Sequence, residues 1–273
     1  MKNTNAINFL LFSYFGFTLE DCKAGKWDKD NGILGKIIDK AYKDATQQGA
    51  FNAMIDIDSE KLKKLRKVSA EIIADGISEL LKAETTDDYD RIHMKICSNK
   101  DKGNPGLVES YNSVKNKDNS GENAFTYGNA QKWINMTMKY LYVVNQICEE
   151  YLDKKDYSNE EYKEHFFVKI QKIKYIENKL HVPVDSYIIQ GAWEEKTVQL
   201  PLKDERKGYR EKDYKNPADY VKAWSKWDNE PKENALGDYS AFQTSLKESI
   251  GNRIDWECQK WIEVAKKRRG EEK

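Results

Sequence analysis

The chain lacks the signatures of a metal centre. Its four cysteines, Cys22, Cys97, Cys148 and Cys258, lie far apart, without the paired spacing of zinc or iron–sulfur sites. Only three histidines occur, and none stands in a His-x-x-x-His or His-Glu pair. These absences predict a protein without a catalytic metal, whose cysteines stay reduced and buried as small apolar side chains in the cytoplasm. Net charge is missing too: Lys plus Arg and Asp plus Glu each number 46, so any affinity for a polyanion has to come from local patches. No apolar run reaches the roughly 18 residues that a membrane-spanning helix needs. The run Ile7 to Phe12 is followed by no small-residue cleavage site, and polar Asn and Ser interrupt its surroundings, so Met1 to Phe17 reads as a buried first helix and not as a signal peptide. With no internal repeat and no low-complexity linker, residues 1–273 read as a single unit, long enough to bury a large core.

What is present is helical periodicity almost throughout. Asn5 to Leu19, Gly32 to Gln48 and Ser59 to Lys82 are expected helices, the last with an apolar stripe of Leu62, Leu65, Ile72, Ile73, Ile77, Leu80 and Leu81. Asp87 to Cys97 follows. A polar connection, Ser98 to Asn123, is interrupted by a short helix at Leu107 to Val114. Further expected helices are Gly128 to Tyr151, a charged one at Ser158 to Asn178, Asp185 to Glu194, Pro217 to Trp227, Tyr239 to Ile250 and Asp255 to Lys267. Lys196 to Leu200 alternates polar and apolar residues and is the one expected strand. Three runs carry local positive charge: Lys61, Lys63, Lys64, Arg66 and Lys67; Lys203 to Lys215, diluted by acids; and Lys266, Lys267, Arg268 and Arg269. Each is also an ordinary solvated face. The pattern predicts a mainly α protein, two helical lobes around a cleft.

The helix opening at Gly128 is the most informative element. Two adjoining stripes, Ile134, Met138, Leu141, Val144 and Cys148 beside Trp133, Met136, Tyr140, Val143 and Ile147, would bury most of its circumference. A narrow polar strip remains: Lys132, Asn135, Lys139 and Tyr142, nearly in line at about 3.6 residues per turn. Lysines on a largely buried helix face a cleft, a partner or water, and spacing alone does not choose among these. Reading Gly128 as the helix start puts Lys132 in the first turn, where the positive helix end disfavours an ammonium ion and favours a neutral amine nucleophile. The N–H groups of the same turn suit a phosphate. Downstream, His181-Val-Pro-Val-Asp185 places a carboxylate where it can cap the next helix, and a carboxylate so held can also stabilise positive charge or take up a proton.

At these residues the chain resembles the helix-hairpin-helix DNA glycosylases, most closely the archaeal 8-oxoguanine glycosylase branch. There a Gln-Lys pair opens the second hairpin helix, another lysine follows two turns later, and a proline loop ends in the catalytic aspartate. Gln131-Lys132, Lys139 and Pro183-Val184-Asp185 match in that order, within Phe125 to Trp193. The chain is also similar to bacterial anti-phage glycosylases that remove glucosylated hydroxymethylcytosine from phage DNA. It departs from the family at the hairpin, where Gly128 stands alone of two usual glycines. The separation of Lys132 from Asp185 is longer than usual, with Ser158 to Asn178 as the insertion.

The resemblance implies base flipping and cleavage of an N-glycosidic bond in double-stranded DNA by a monomer without cofactor or metal. Lys132 would be the Schiff-base lysine and Asp185 the essential carboxylate, with Lys139 as the second candidate nucleophile. Lys139, Asn135, Tyr142 and Trp193 would line the base pocket, and Gly128, Asn129 and Gln131 would hold the DNA backbone. Trp224, Trp227, Trp256, Trp261, Tyr187 and Tyr239 are further aromatics for stacking, or for the core. A glucosylated cytosine needs a roomy polar pocket, an oxidised purine a flat aromatic slot. Residues 125–194 would carry hairpin, lysine helix and aspartate loop, and residues 195–273 the C-terminal helical part. A helical protein that only grips DNA or a nucleotide would keep the Gly128 turn and the basic runs but would have no use for Asp185.

Overall fold

The computed structural model describes residues 4–28, 32–47, 59–101, 103–114, 125–152, 165–195, 198–203, 217–230 and 236–271. Among them the fold is mainly α: helices and 3-10 turns, with two isolated bridges and no strand. The helices are α1 Asn5–Phe15, α2 Leu19–Ala24, α3 Ile33–Gln47, α4 Ser59–Leu80, α5 Thr86–Cys97, α6 Leu107–Val114, α7 Tyr127–Tyr151, α8 Phe166–Ile170, α9 Ser186–Glu195, α10 Asp238–Ser249 and α11 Arg253–Arg269. No helix of the described residues is long and apolar enough to cross a membrane.

α7 is the axis around which the others are arranged. Every residue from Tyr127 to Met138 is buried, the condition of a helix enclosed on all sides. The Trp133 indole donates to the Ile38 carbonyl of α3 at 3.0 Å and its ring meets Tyr42 at 4.8 Å. Tyr111 of α6 stacks on Phe125 at 4.1 Å and turns its edge to Trp133. The apolar core is continuous from Leu11 to Ile254. Cys22, Cys97 and Cys148 are buried and Cys258 half-buried, all four as free thiols.

Several expected elements differ, each for a local reason. The first helix ends at Phe15, because Gly16 takes a left-handed conformation (φ 79°) that stops it, and Thr18 starts α2 with a capping box to Asp21. α1 is also not buried: only Leu11 is, while Phe9, Leu10 and Phe12 are 69, 59 and 62 % exposed. The charged helix at Ser158 to Asn178 is outside the described residues up to 164. Its described part is α8 followed by 3-10 turns at Gln171–Tyr175 and Glu177–Lys179. Ile170, Ile173 and Ile176, all buried, repeat every third residue, which is the period of a 3-10 helix and not of an α-helix.

Of the expected strand, residues 196 and 197 lie outside the described set. Val198 and Leu200 are buried with Gln199 exposed between them. The alternation is that of a strand, but the segment pairs with the Ser245 hydroxyl of α10, through Gln199 N–H at 2.6 Å, in place of a partner strand. The helix expected from Pro217 to Trp227 is two 3-10 turns, Pro217–Asp219 and Trp224–Lys226. Between them the backbone pairs with residues 201–203 (Lys203 N to Tyr220 O 2.7 Å, Lys222 N to Pro201 O 2.9 Å), which draws it out of a helix. The basic run of α4 is an outer face on which Lys63 pairs with Glu60 and Arg66 with Asp39. The run Lys203 to Lys215 lies outside the described residues beyond Lys203.

Candidate active site

α7 begins one residue earlier than its glycine suggests. Thr126 caps it, its hydroxyl accepting from Asn129 N–H at 3.2 Å while the Asn129 side chain accepts from Thr126 N–H at 3.1 Å. Tyr127 is therefore the first helical residue and Lys132 the sixth, beyond the first turn. The expectation of a first-turn lysine is corrected accordingly: what surrounds Lys132 is a carboxylate, not the helix end.

Lys132 Nζ donates to Asp185 Oδ2 at 2.7 Å, and the two side chains are 3 and 2 % exposed. Asp185 Oδ1 accepts from the N–H groups of Tyr187 (2.9 Å) and Ile188 (3.0 Å), so the carboxylate is the N-cap of α9 as well as the partner of the lysine. Burial by itself would raise the Asp185 pKa. The Lys132 ammonium, its hydrogen bond and the Ile188 N–H outweigh that and hold the carboxyl below its ordinary 3.8. A folded-state value below the unfolded one stabilises the fold above about pH 4, and that contribution is lost as the pH falls through the folded value. Urea unfolding between about pH 5 and about pH 3 should therefore cost the wild type more stability than it costs Asp185→Asn, which has no carboxyl to titrate there.

The pair forms one wall of a 420 Å³ cavity whose other walls are Tyr14 of α1, Lys40 and Asp44 of α3, Met136, Lys139 and Tyr140 of α7 and Trp261 of α11. The far wall is polar. Asp44 accepts from Lys40 Nζ at 2.7 Å, from the Tyr14 hydroxyl at 3.1 Å and from the Tyr140 hydroxyl. The two tyrosine rings meet edge to face at 5.8 Å. Trp261 stacks on Tyr187 at 5.0 Å, and the Arg268 guanidinium also covers that tyrosine, 4.1 Å from its centroid. Lys139 Nζ is bound to Glu257 at 2.9 Å. Burial disfavours its charge, but the Glu257 carboxylate prevails and raises its pKa above the lysine value, so Lys139 supplies positive charge to the cavity and is a poor nucleophile.

Of the candidate site residues, Lys132, Lys139 and Asp185 meet at this cavity, joined by Trp261 from the aromatics named for stacking; Asn135, Tyr142, Trp193, Gly128, Asn129 and Gln131 do not line it. Asn135 is fully buried behind it, bound to Gln131 Oε1 (2.9 Å), Val182 O (3.2 Å), the Tyr239 hydroxyl (2.7 Å) and His93 (2.8 Å). Tyr142 donates to Asp255 at 3.0 Å away from the cavity, and Trp193 stacks on Tyr220. Gly128, Asn129 and Gln131 are buried, and the assignment of DNA phosphates to them is corrected. The Trp224–Lys226 turn covers the start of α7 so closely that a Cβ on Gly128 would overlap the Trp224 carbonyl, and Gln131 bonds back to the Gly128 carbonyl at 2.9 Å. Gly128 thus serves close packing of backbone on backbone.

Asn135 still acts on the site, through the loop. Its amide and that of Gln243 (2.8 Å) both donate to Val182 O, and Gln243 Oε1 accepts from Val182 N–H at 3.1 Å, so the segment that presents Asp185 is fastened three residues upstream. Gln243→Ala would leave the Val182 N–H without its acceptor, and chemical denaturation should register a loss of about 1–3 kcal/mol.

Sequence reasoning missed Tyr14 and the Lys40–Asp44 pair. The i,i+4 spacing of Lys40 and Asp44 on α3 was a local signal for an ion pair; nothing local marked Tyr14, which lies among apolar neighbours and reaches the cavity only through the packing of α1 on α3. Chemically the arrangement offers an oriented carboxylate, an amine in contact with it, and a polar surface opposite. Comparison of the chain with protein-family models, with curated proteins and with solved structures finds no match in any of the three.

Proposed function

We propose that this protein is a DNA glycosylase that draws a modified nucleotide out of the duplex into the cavity over Lys132 and Asp185 and cleaves its N-glycosidic bond. The observation that carries this reading is the buried contact of Lys132 Nζ with Asp185 Oδ2, 2.7 Å across two segments remote in sequence, on the wall of a cavity. A buried ion pair is weak evidence for a stabilising role, since desolvation offsets most of its attraction. Its placement at a cavity supports a chemical one.

In the reaction, the bond from C1′ to the base breaks with its electron pair leaving on the base, and the sugar gains oxocarbenium character. Asp185, ionised and held by two N–H groups, stabilises that charge without reorganising. Lys132 gives up a proton to the departing base, and its free amine forms the new bond to C1′. Opening of the sugar ring then leaves an imine, from which strand cleavage by β-elimination follows. Lys139, kept charged by Glu257, helps hold the phosphates or the base near the amine.

The polar far wall of Asp44, Lys40, Tyr14 and Tyr140 favours a base with a hydroxyl-bearing appendage, such as glucosylated 5-hydroxymethylcytosine of phage DNA, over an oxidised purine. Trp261 is the one tryptophan among the described residues lining the cavity, which is less than a flat aromatic slot requires. DNAs carrying 8-oxoguanine, uracil, alkylated purines, hydroxymethylcytosine and its glucosylated form should be incubated with the protein and the freed bases identified by mass spectrometry. The expected product is the glucosylated base. Release of 8-oxoguanine would make this a repair enzyme, and release of none would leave a non-catalytic binding protein.

A further inference from the structure

A second cavity of 360 Å³ shares no lining residue with the first. Its floor is buried and its rim is not: His93, His181, Tyr239 and Arg253 are 1, 5, 1 and 3 % exposed, whereas Asp87, Asp90, Lys247 and Glu248 around the mouth are exposed. The floor holds a connected set of hydrogen bonds. His181 Nε2 lies 2.7 Å from Asp90 Oδ1, and His181 Nδ1 lies 2.9 Å from the Tyr239 hydroxyl. Because the Asp90 carboxylate can only accept, His181 Nε2 carries the proton and Nδ1 of the neutral ring accepts from the Tyr239 hydroxyl, which itself accepts from the Asn135 amide at 2.7 Å. His93 and Tyr239 lie parallel within 6° at 5.5 Å.

Arg253 is the group this arrangement leaves unanswered. Its guanidinium donates to two carbonyl oxygens, Asn178 O at 3.0 Å and Gln243 O at 3.4 Å, and it has no carboxylate partner among the described residues. Asp90 is hydrogen-bonded to His181 and acts on Arg253 by its charge alone. A guanidinium carries five N–H donors, so most of its capacity for a planar, two-pronged acceptor is free. Burial lowers the pKa of both histidines, His93 to about 3, so near neutral pH the arginine is the floor's positive charge. The Asp90 charge reaches Arg253 only through space, without a hydrogen bond, and a bound oxyanion in direct contact supplies the charge-assisted pair that the guanidinium lacks.

We propose that this cavity is a second binding site, for a small molecule that places one oxyanion, phosphate or carboxylate, on Arg253 and turns hydroxyl or amino groups to the acidic rim. The rim holds three carboxylates and one lysine, which repels a polyanion such as the DNA backbone and accepts hydrogen bonds from a neutral or cationic end. The site is independent of the chemistry assigned to Lys132 and Asp185.

Calorimetric titration of the full chain with inorganic phosphate and, separately, with acetate, at constant ionic strength, tests this. One of the two should bind saturably, and which one does identifies the oxyanion. Arg253→Gln should weaken binding by about tenfold or more, while Lys132→Gln should leave it unchanged. Asp87→Asn combined with Glu248→Gln, both exposed, should strengthen binding about threefold by removing rim repulsion. Absence of saturable binding by the wild type overturns the proposal, as does binding unaltered in folded Arg253→Gln or lost in folded Lys132→Gln. Should Arg253→Gln not fold, unchanged affinity in the double rim variant overturns it.

Discussion

Asp185→Asn is expected to keep DNA affinity and lose base release by about 10²–10³-fold, the range found when one preorganised electrostatic stabiliser is removed from an active site. The substitution separates the cap that Asp185 forms from the catalytic role proposed for it. Asn is as good an N-cap as Asp, and its Oδ1 can go on accepting from the Tyr187 and Ile188 N–H groups, so α9 and the loop before it stay in place. What disappears is the negative charge opposite Lys132. Single-turnover release of the base, measured beside equilibrium binding of the same DNA, reads the two roles separately. Release retained at wild-type rate would remove Asp185 from the chemistry. Borohydride trapping distinguishes the lysines: the wild type should form a covalent complex with its DNA and Lys132→Gln should not. A complex that survives in Lys132→Gln and vanishes in Lys139→Gln would move the nucleophile, against the hold of Glu257 on Lys139.

The second large effect is on stability. Lys132→Met should destabilise the fold by about 3–5 kcal/mol, because it strands a buried carboxylate without its counter-ion. In the double variant Lys132→Met, Asp185→Asn, the carboxylate is gone, the cap remains, and most of the loss should be recovered. Urea denaturation of the four members of this cycle gives the coupling directly. If Lys132→Met alone costs less than about 1 kcal/mol, water reaches the carboxylate through the cavity and the pair is not a buried one. The two experiments are complementary: base release is expected to respond most to the charge on Asp185, and folding to leaving that charge alone.

The periodicity of α4 and α7 was legible at once, because a helix that buries one stripe or its whole surface must repeat its apolar residues near every 3.6 positions. The Asp185 cap was legible as well, since capping is decided within four residues of chain. Less visible were elements whose partners are distant. Lys196 to Leu200 alternates as a strand does, yet Gln199 meets a hydroxyl of α10. Pro217 to Trp227 opens with a residue suited to a helix start, yet residues 201–203 draw its backbone into other pairings. The Gly128 turn was read as a phosphate cradle because an open turn and a covered one have the same local sequence, and the cover, Trp224–Lys226, lies about a hundred residues away.

The sequence by itself determined that this is a helical chain, that Asp185 caps the helix after it, and that Lys132 and Asp185 belong to elements able to present them. Tertiary structure decided that those two side chains touch, that Tyr14, Lys40 and Asp44 face them, and that Asn135 and Gly128 serve packing and positioning. The division is physical. Capping and periodicity are settled by neighbours a turn away, through backbone groups each residue carries with it. A cavity is defined by what several helices leave unfilled between them, and no single segment records the shape of its partners.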